Sequence, residues 1–330
     1  MQLPARQTAI IIEEAGGPEV LKPADMAVPM PAEGQVVIRV GAAGVNRHDV
    51  HQRAAGRHSD GLAIPGIEVC GSVVALGDGV ARPAIGERVM ALVQGGGYGQ
   101  YVAAHSALTL PAPEAFSDVE AAAIPEALFT TWWNFFGLMA LQKHEFALIH
   151  GGTSGVGHLA LQAMSALGYN VLATAGSERK VEAALRFGAL AAFSYSADDL
   201  AERVMTATDG RGISALLDMS AGAHIGQDLE MMAPDGWIAH LSGGGGAVLQ
   251  VPLRTIMAKR IKLTGSLLRP LSIERKAIVA AGLVKDVLPL LGTRVRPAIA
   301  AVFDLAQAGE AHRMMEAGAH VGKILLRVEQ

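Results

Sequence analysis

The sequence predicts an α/β protein in which a mostly β unit precedes a doubly wound parallel sheet. Three observations carry that class. Before residue 120, short alternating strands are separated by Gly and Pro, and from about 127 to 268 apolar strands alternate with helical patterns. Within the second region, residues 146–180 hold a strand, a glycine turn, a helix and a second strand in succession.

The elements follow in order. Residues 8–12, 35–40 and 87–92 are short strand patterns bounded by turn formers, as in a mostly β unit. The apolar run 146–149 then enters a loop in which Gly155, Gly157 and Ala160 form G-x-G-x-x-A, with Gly152 upstream. Val156, Leu159, Ala160, Ala163, Met164 and Leu167 recur on one helical face, and Gly168 ends that helix before the apolar strand 171–175. Runs at 191–193, 213–218, 236–241 and 262–266 complete six strands, a set that suits a doubly wound sheet. Two helical patterns, 272–283 and 304–317, and a closing strand 323–328 form a tail.

Glycines after a strand let backbone N–H groups approach a pyrophosphate, and the start of the following helix favours its charge. The spacing therefore predicts a dinucleotide ligand. About 20 residues beyond such a turn, an NAD site places an acid on the ribose 2′-hydroxyl. Here the second strand ends in Ala175-Gly176-Ser177-Glu178-Arg179-Lys180, and no acid closes it. Ser177 can hydrogen-bond, while Arg179 and Lys180 can neutralise a 2′-phosphate, so the tip predicts NADPH over NADH. Glu178 reads as a first-turn acid of the next helix, and a solvated helix start is the plainer alternative for the two bases.

At 330 residues the chain is long enough for two domains, and 51% hydrophobic against 18% charged residues implies large buried surfaces, a subunit interface among them. A net charge of −4 without a long basic run argues against nucleic acid as a partner. No apolar stretch is long enough for a membrane span and the N-terminus lacks signal-peptide features, so the expected location is the cytoplasm. Cys70 is the single cysteine, which excludes an intrachain disulfide and a multi-cysteine zinc site. His48, Asp49 and His51 are a candidate metal cluster, but two His at i, i+3 without a third spaced ligand match no zinc pattern; a surface or packing role is expected. His150, before the glycine loop, is expected to pack or hydrogen-bond at the strand end.

Further segments extend over almost the whole chain: Gly16 through Leu21, Asn46-Arg47-His48-Asp49, Pro65 through Gly71, Gly86-Glu87-Arg88-Val89, Ala121 through Ala127 and Gly151 through Gly157. With Leu148-Ile149-His150, Gly265-Ser266-Leu267-Leu268-Arg269, Glu310-Ala311-His312 and Gly322-Lys323-Ile324, they make the chain resemble the zinc-independent quinone oxidoreductase branch of the medium-chain dehydrogenase/reductase superfamily. Within that branch it looks most like the p53-inducible NADPH:quinone oxidoreductase subgroup. The resemblance implies a GroES-like catalytic domain over 1–126, a Rossmann domain with a six-stranded parallel sheet over 127–268, and a C-terminal segment, 269–330, that returns to the catalytic domain.

Zinc-dependent relatives carry Cys and His ligands where this chain has Asn46 and Ile67, so the resemblance implies no catalytic metal and direct hydride transfer from NADPH to a quinone. Reduction of an enone is the close alternative, and a nucleotide-bound structural or RNA-binding protein with little turnover is the alternative from another class. The resemblance further implies that Asn46 and Thr130 contact the nicotinamide or acceptor, and that His58, in the substrate loop, can donate a proton. The cofactor would be held by Gly152, Thr153, Ser154, Gly155, Val156, Gly157, Gly176, Ser177, Lys180, Tyr195, Ser220, Gly243, Gly244, Leu268, Arg269 and Lys323. Plainer readings stand beside these: an Asx-turn at Asn46, a helix hydroxyl at Thr130, an exposed loop histidine at His58, a buried strand aromatic at Tyr195, and surface charges at Arg269 and Lys323. Tyr98, in the glycine turn 95–101, is expected to edge the pocket. A homodimer is implied, pairing the apolar strand 261–268 across a two-fold axis.

Overall fold

The computed structural model describes residues 3–56, 63–220, 222–242 and 248–329. The chain divides into two units, one made of Met1–Phe129, Ser272–Lys285 and Arg296–Gln330, the other of Thr130–Leu271 and Asp286–Val295. His58, Gly243 and Gly244 lie outside the described residues.

In the first unit, β1 (Arg6–Ile12) and β2 (Leu21–Ala27) pair antiparallel. A larger sheet is built from β3 (Gln35–Val45), β4 (Glu68–Leu76), β5 (Arg88–Leu92), β6 (Tyr101–His105) and β7 (Thr109–Pro111). Val36, Ile38 and Val40 of β3 meet Val69, Val73 and Val89 in one core cluster, the inward face of a period-two pattern. Helices α1 (Arg47–Ala55), α2 (Asp118–Ala122) and α3 (Pro125–Trp132) follow β3 and β7; Ser117 and Glu120 cap α2 reciprocally.

The second unit holds an all-parallel sheet of six strands: β8 (Phe146–His150), β9 (Asn170–Ala175), β10 (Ala191–Ser194), β11 (Ile213–Asp218), β12 (Met232–His240) and β13 (Lys262–Gly265). Their spatial order is β10-β9-β8-β11-β12-β13, so the chain reverses its direction of travel between β8 and β11. Helices α4 (Gly157–Ala166), α5 (Glu178–Arg186), α6 (Leu200–Ala207), α7 (Ile225–Met231) and α8 (Leu253–Lys259) connect or follow the strands. Both faces of the sheet are covered: Ala147 and Ile149 join one apolar cluster with Leu161 and Met164 of α4, while Phe146 and Leu148 join another with Leu200 and Val204 of α6. This two-sided burial explains why these strands read as continuous apolar runs. Fully burying a side chain such as Leu148 contributes about 1.5 to 3 kcal/mol.

The tail departs from its expected pattern. After α9 (Ile273–Asp286), β14 (Ile299–Asp304) lies where no strand was expected, and α10 (Ala308–Ala317) starts four residues later than the expected start at 304. Asp304 ends the strand and caps a 3₁₀ turn, its N–H donating to Gln307 Oε1 at 3.0 Å, so the acid marks the turn and not the α-helix. The closing strand β15 (Lys323–Arg327) lies between β14 and β3, and the seven-stranded sheet runs β14-β15-β3-β4-β5-β7 with β6 also on β3. Among the described residues no helix is long and apolar enough to cross a membrane.

Candidate active site

In the second unit the site grows from the carboxyl ends of the parallel strands. β8 leads into the loop Gly151–Val156, which opens α4 beside the reversal of strand order, the place where doubly wound sheets leave a crevice. Gly151 has φ +78°, and a Cβ on Gly157 would sit 2.3 Å from the Gly151 carbonyl oxygen. These positions require glycine, and they bring backbone N–H groups to the helix start unshielded by side chains. Ser154 Oγ accepts from the Gly157 N–H at 3.0 Å, holding the turn, and Thr153 is buried beneath it.

The tip of β9 gathers four of the expected cofactor residues. Ser177 caps α5, its hydroxyl accepting from the Lys180 N–H at 3.4 Å. A Cβ on Gly176 would lie 2.3 Å from the Tyr195 hydroxyl, so the phenol at the end of β10 rests over Gly176. Tyr195 is 37% exposed, which corrects its reading as a buried strand aromatic. Partial burial lowers the Lys180 pKa, and the neighbouring Arg179 cation lowers it further. An anion placed there would relieve that crowding. Tyr195 also packs on His224, ring centroids 5.1 Å apart, beside a cleft of about 390 Å³ that Ser196, Asp198 and Gln227 help to line.

At the end of β11, Asp218 accepts from the Ser220 N–H at 2.6 Å, the Ser220 hydroxyl, the Gly222 N–H at 2.7 Å and His240 Nδ1 at 2.7 Å. Burial would raise this carboxyl's pKa, but the bonds from His240 and Ser220 outweigh it and hold the group well below the usual carboxylate range. Ser220 is thus tied to Asp218 through both its N–H and its hydroxyl. His150 is wholly buried, its ring nitrogens 2.7 Å from Thr174 Oγ1 and 2.8 Å from Asp228 Oδ1, a strand-end hydrogen-bonding role as expected. Thr130 is buried on α3, and its carbonyl accepts from Asn134 Nδ2 at 2.8 Å. Leu268 and Arg269, just beyond β13, are half-buried.

In the first unit Asn46 joins β3 to α1, and its N–H donates to Asp49 Oδ2 at 2.8 Å. Its side-chain amide bridges two charges. Nδ2 donates to Glu68 Oε1 at 2.8 Å, and Oδ1 accepts from Lys323 Nζ at 2.7 Å. Lys323 also forms a short ion pair with Glu68, whose other oxygen accepts from the Glu126 N–H at 2.9 Å. Lys323 and Glu68 are 1% and 0% exposed, so Lys323 is not a surface charge; it comes from β15 to cross-link β3 and β4. Each end of the Asn46 amide thus has one hydrogen-bonding position engaged within this unit, a constraint its sequence position did not reveal.

A second buried group adjoins this one. Asp49 Oδ1 accepts from the Gly66 N–H at 3.1 Å, and the Tyr98 hydroxyl lies 3.3 Å from Asp49 Oδ2 and 3.1 Å from His312 Nε2. Burial pushes Asp49 up to about 7 against the pull of its backbone donors, and burial with the nearby Arg53 charge pushes His312 down to about 4. Tyr98 is fully buried in this network, a correction to its expected place at a pocket edge. Asp49 faces inward while His51 is exposed, so the candidate cluster of His48, Asp49 and His51 does not converge; among the described residues no three His, Cys, Asp or Glu are placed to hold a metal. His240 and His312 were missed as site-forming residues; a polar residue within an otherwise apolar strand was the available signal for His240.

These features agree with similarity to known proteins. A family model described as zinc-binding dehydrogenase matches residues 155–281, and one described as the alcohol dehydrogenase GroES-like domain matches residues 32–114. Quinone oxidoreductase of Rattus norvegicus is 30% identical over 328 residues, spanning 96% of this chain and 97% of that protein. A solved mycobacterial structure complexed with NADPH matches with a TM-score of 0.85 at 28% identity, over 97% of this chain and 99% of its own. The crystal structure of an NAD-dependent alcohol dehydrogenase also matches with a TM-score of 0.85, at 27% identity over 98% and 100% of the two chains. With a GroES-like domain, a six-stranded Rossmann sheet and near-complete coverage of its relatives, the chain belongs to the medium-chain dehydrogenase/reductase superfamily as an oxidoreductase of the quinone oxidoreductase type.

Proposed function

We propose that the chain is an NADPH-dependent quinone oxidoreductase that works without a catalytic metal. The observation that carries this reading is the tip of β9, where Tyr195 rests over Gly176, where Ser177, Arg179 and Lys180 follow at the start of α5, and where no acid takes the ribose position. The glycine cradle of Gly151 and Gly157 fits a pyrophosphate, and the crowded cations at 179 and 180 fit a 2′-phosphate. When bound, NADPH supplies a hydride. The chain's part is to hold and orient: the loop before α4 and the tip of β9 anchor phosphates, while Asn46, its amide fixed by Glu68 and Lys323, and Thr130 are the proposed nicotinamide-side contacts. His58 remains the proposed proton donor from the segment outside the described residues.

The metal-free reading is supported by a cation already present in the protein. The Lys323 ammonium rests between Asn46 and Glu68, where Asn46 and Ile67 replace the Cys and His of zinc-dependent relatives. An electron-poor acceptor needs no Lewis acid to accept hydride. NADPH oxidation by purified protein, assayed on benzoquinones and α,β-unsaturated aldehydes before and after exhaustive chelation, tests both points. Quinone reduction that survives chelation is expected. Turnover confined to enones would reassign the acceptor, activity lost on chelation and restored by zinc would overturn the metal-free reading, and tight NADPH or RNA binding with no turnover on any acceptor would favour a structural role.

We also propose a homodimer. β13 ends the six-stranded sheet, and Leu253 and Met257 of the preceding α8 and Leu267 just after the strand are each about two-thirds exposed, at 65%, 68% and 66%. A second copy pairing along this edge would cover both the open strand and the apolar side chains. Light scattering over a 100-fold concentration range should return twice the chain mass; a constant monomer mass would exclude the dimer.

A further inference from the structure

His240 Nε2, at the carboxyl edge of the parallel sheet, is buried without a hydrogen-bond partner among the described residues. Its ring is otherwise fixed. Nδ1 lies 2.7 Å from Asp218 Oδ2, and the imidazole side chain is 12% exposed against 0% for the carboxylate. The other groups around Asp218 are the Ser220 N–H, the Ser220 hydroxyl and the Gly222 N–H, all donors. Asp218 is therefore an ionised acceptor that holds the imidazole through Nδ1, and Nε2 is the ring atom left to hydrogen-bond a ligand. Such an arrangement calls for a ligand that hydrogen-bonds Nε2, since buried polar atoms are rarely left unpaired.

Strand order indicates which part of a dinucleotide that is. The glycine loop leaves β8, and the residues proposed for the 2′-phosphate follow β9 and β10 on one side of it. β11 and β12 lie on the other side, so the second half of a ligand centred on the loop extends toward them. His240 ends β12, two strand spacings or about 10 Å from β8. The sugar on this side offers hydroxyls, which hydrogen-bond an imidazole nitrogen as donor or acceptor.

Resting on the dinucleotide reading above, we propose that His240 is a cofactor-positioning contact whose Nε2 hydrogen-bonds a hydroxyl of the nicotinamide-side ribose, with Asp218 fixing the ring. The test compares NADPH with adenosine 2′,5′-bisphosphate, which has the adenosine half alone. In the ¹⁵N-labelled wild-type protein, saturating NADPH should move the His240 Nε2 resonance and the bisphosphate should not. In His240→Phe, NADPH should bind about 10-fold more weakly, the size of one lost hydrogen bond, with bisphosphate affinity unchanged. An Nε2 resonance unmoved by saturating NADPH, or moved equally by both ligands, overturns the inference alone. Failure of the wild-type protein to bind either ligand overturns the dinucleotide reading and this inference with it.

Discussion

Replacing Lys323 by methionine should destabilise the first unit by about 3 to 5 kcal/mol. The ammonium is buried against Glu68 and the Asn46 amide, so its removal strands a carboxylate away from water, and breaking a buried pair from one side costs that much. Hydrogen exchange of the β3, β4 and β15 amides reads the loss where it occurs, independently of the second unit. The double variant Glu68→Gln, Lys323→Met should recover most of the stability, because a pair removed together leaves no unpaired charge. Equal protection in wild type and Lys323→Met would show that the pair does not stabilise the native state.

Lys180→Ala should weaken NADPH binding roughly 10- to 100-fold and leave NADH binding within about twofold. A charge-assisted contact to a phosphate is worth roughly 1.5 to 3 kcal/mol, and NADH lacks the phosphate that Lys180 would meet. Fluorescence titration of both cofactors against both proteins measures the ratio. A variant that loses affinity for the two cofactors alike would mean that Lys180 supports the loop and does not read the 2′-phosphate.

The parallel sheet was legible because its inner strands β8, β9 and β11 are buried on both faces and so appear as apolar runs between helical patterns. The glycine turn was legible for a related reason: Gly151 and Gly157 are fixed by backbone geometry that any sequence with this turn must satisfy. β14 was not, because its half-exposed Ile299-Ala300-Ala301-Val302-Phe303 lacks both strict alternation and full burial. The site in the first unit was legible as a set of residues and not as a network. Asn46 and Lys323 were each singled out, but they are 277 positions apart, and nothing local to either shows that one amide oxygen faces the other's ammonium. Asp218 was read as a strand end where ligands collect; that it orients His240 depends on the register that places the two side by side across β11 and β12.

That same separation bears on how the chain is made. β15 pairs with β3 in the interior of the seven-stranded sheet, so the unit begun by the first strands cannot close until residue 327 has been synthesised. Until then β3 lacks its β15 neighbour along residues 42–45, and Glu68 lacks its counter-charge. The nucleotide-binding unit, almost continuous in sequence, carries no such dependence and can complete its sheet first. The topology thus lets assembly run against the order of translation: the unit that starts the polypeptide cannot complete its sheet until the last strand exists, and that strand also delivers the cation that pairs with Glu68.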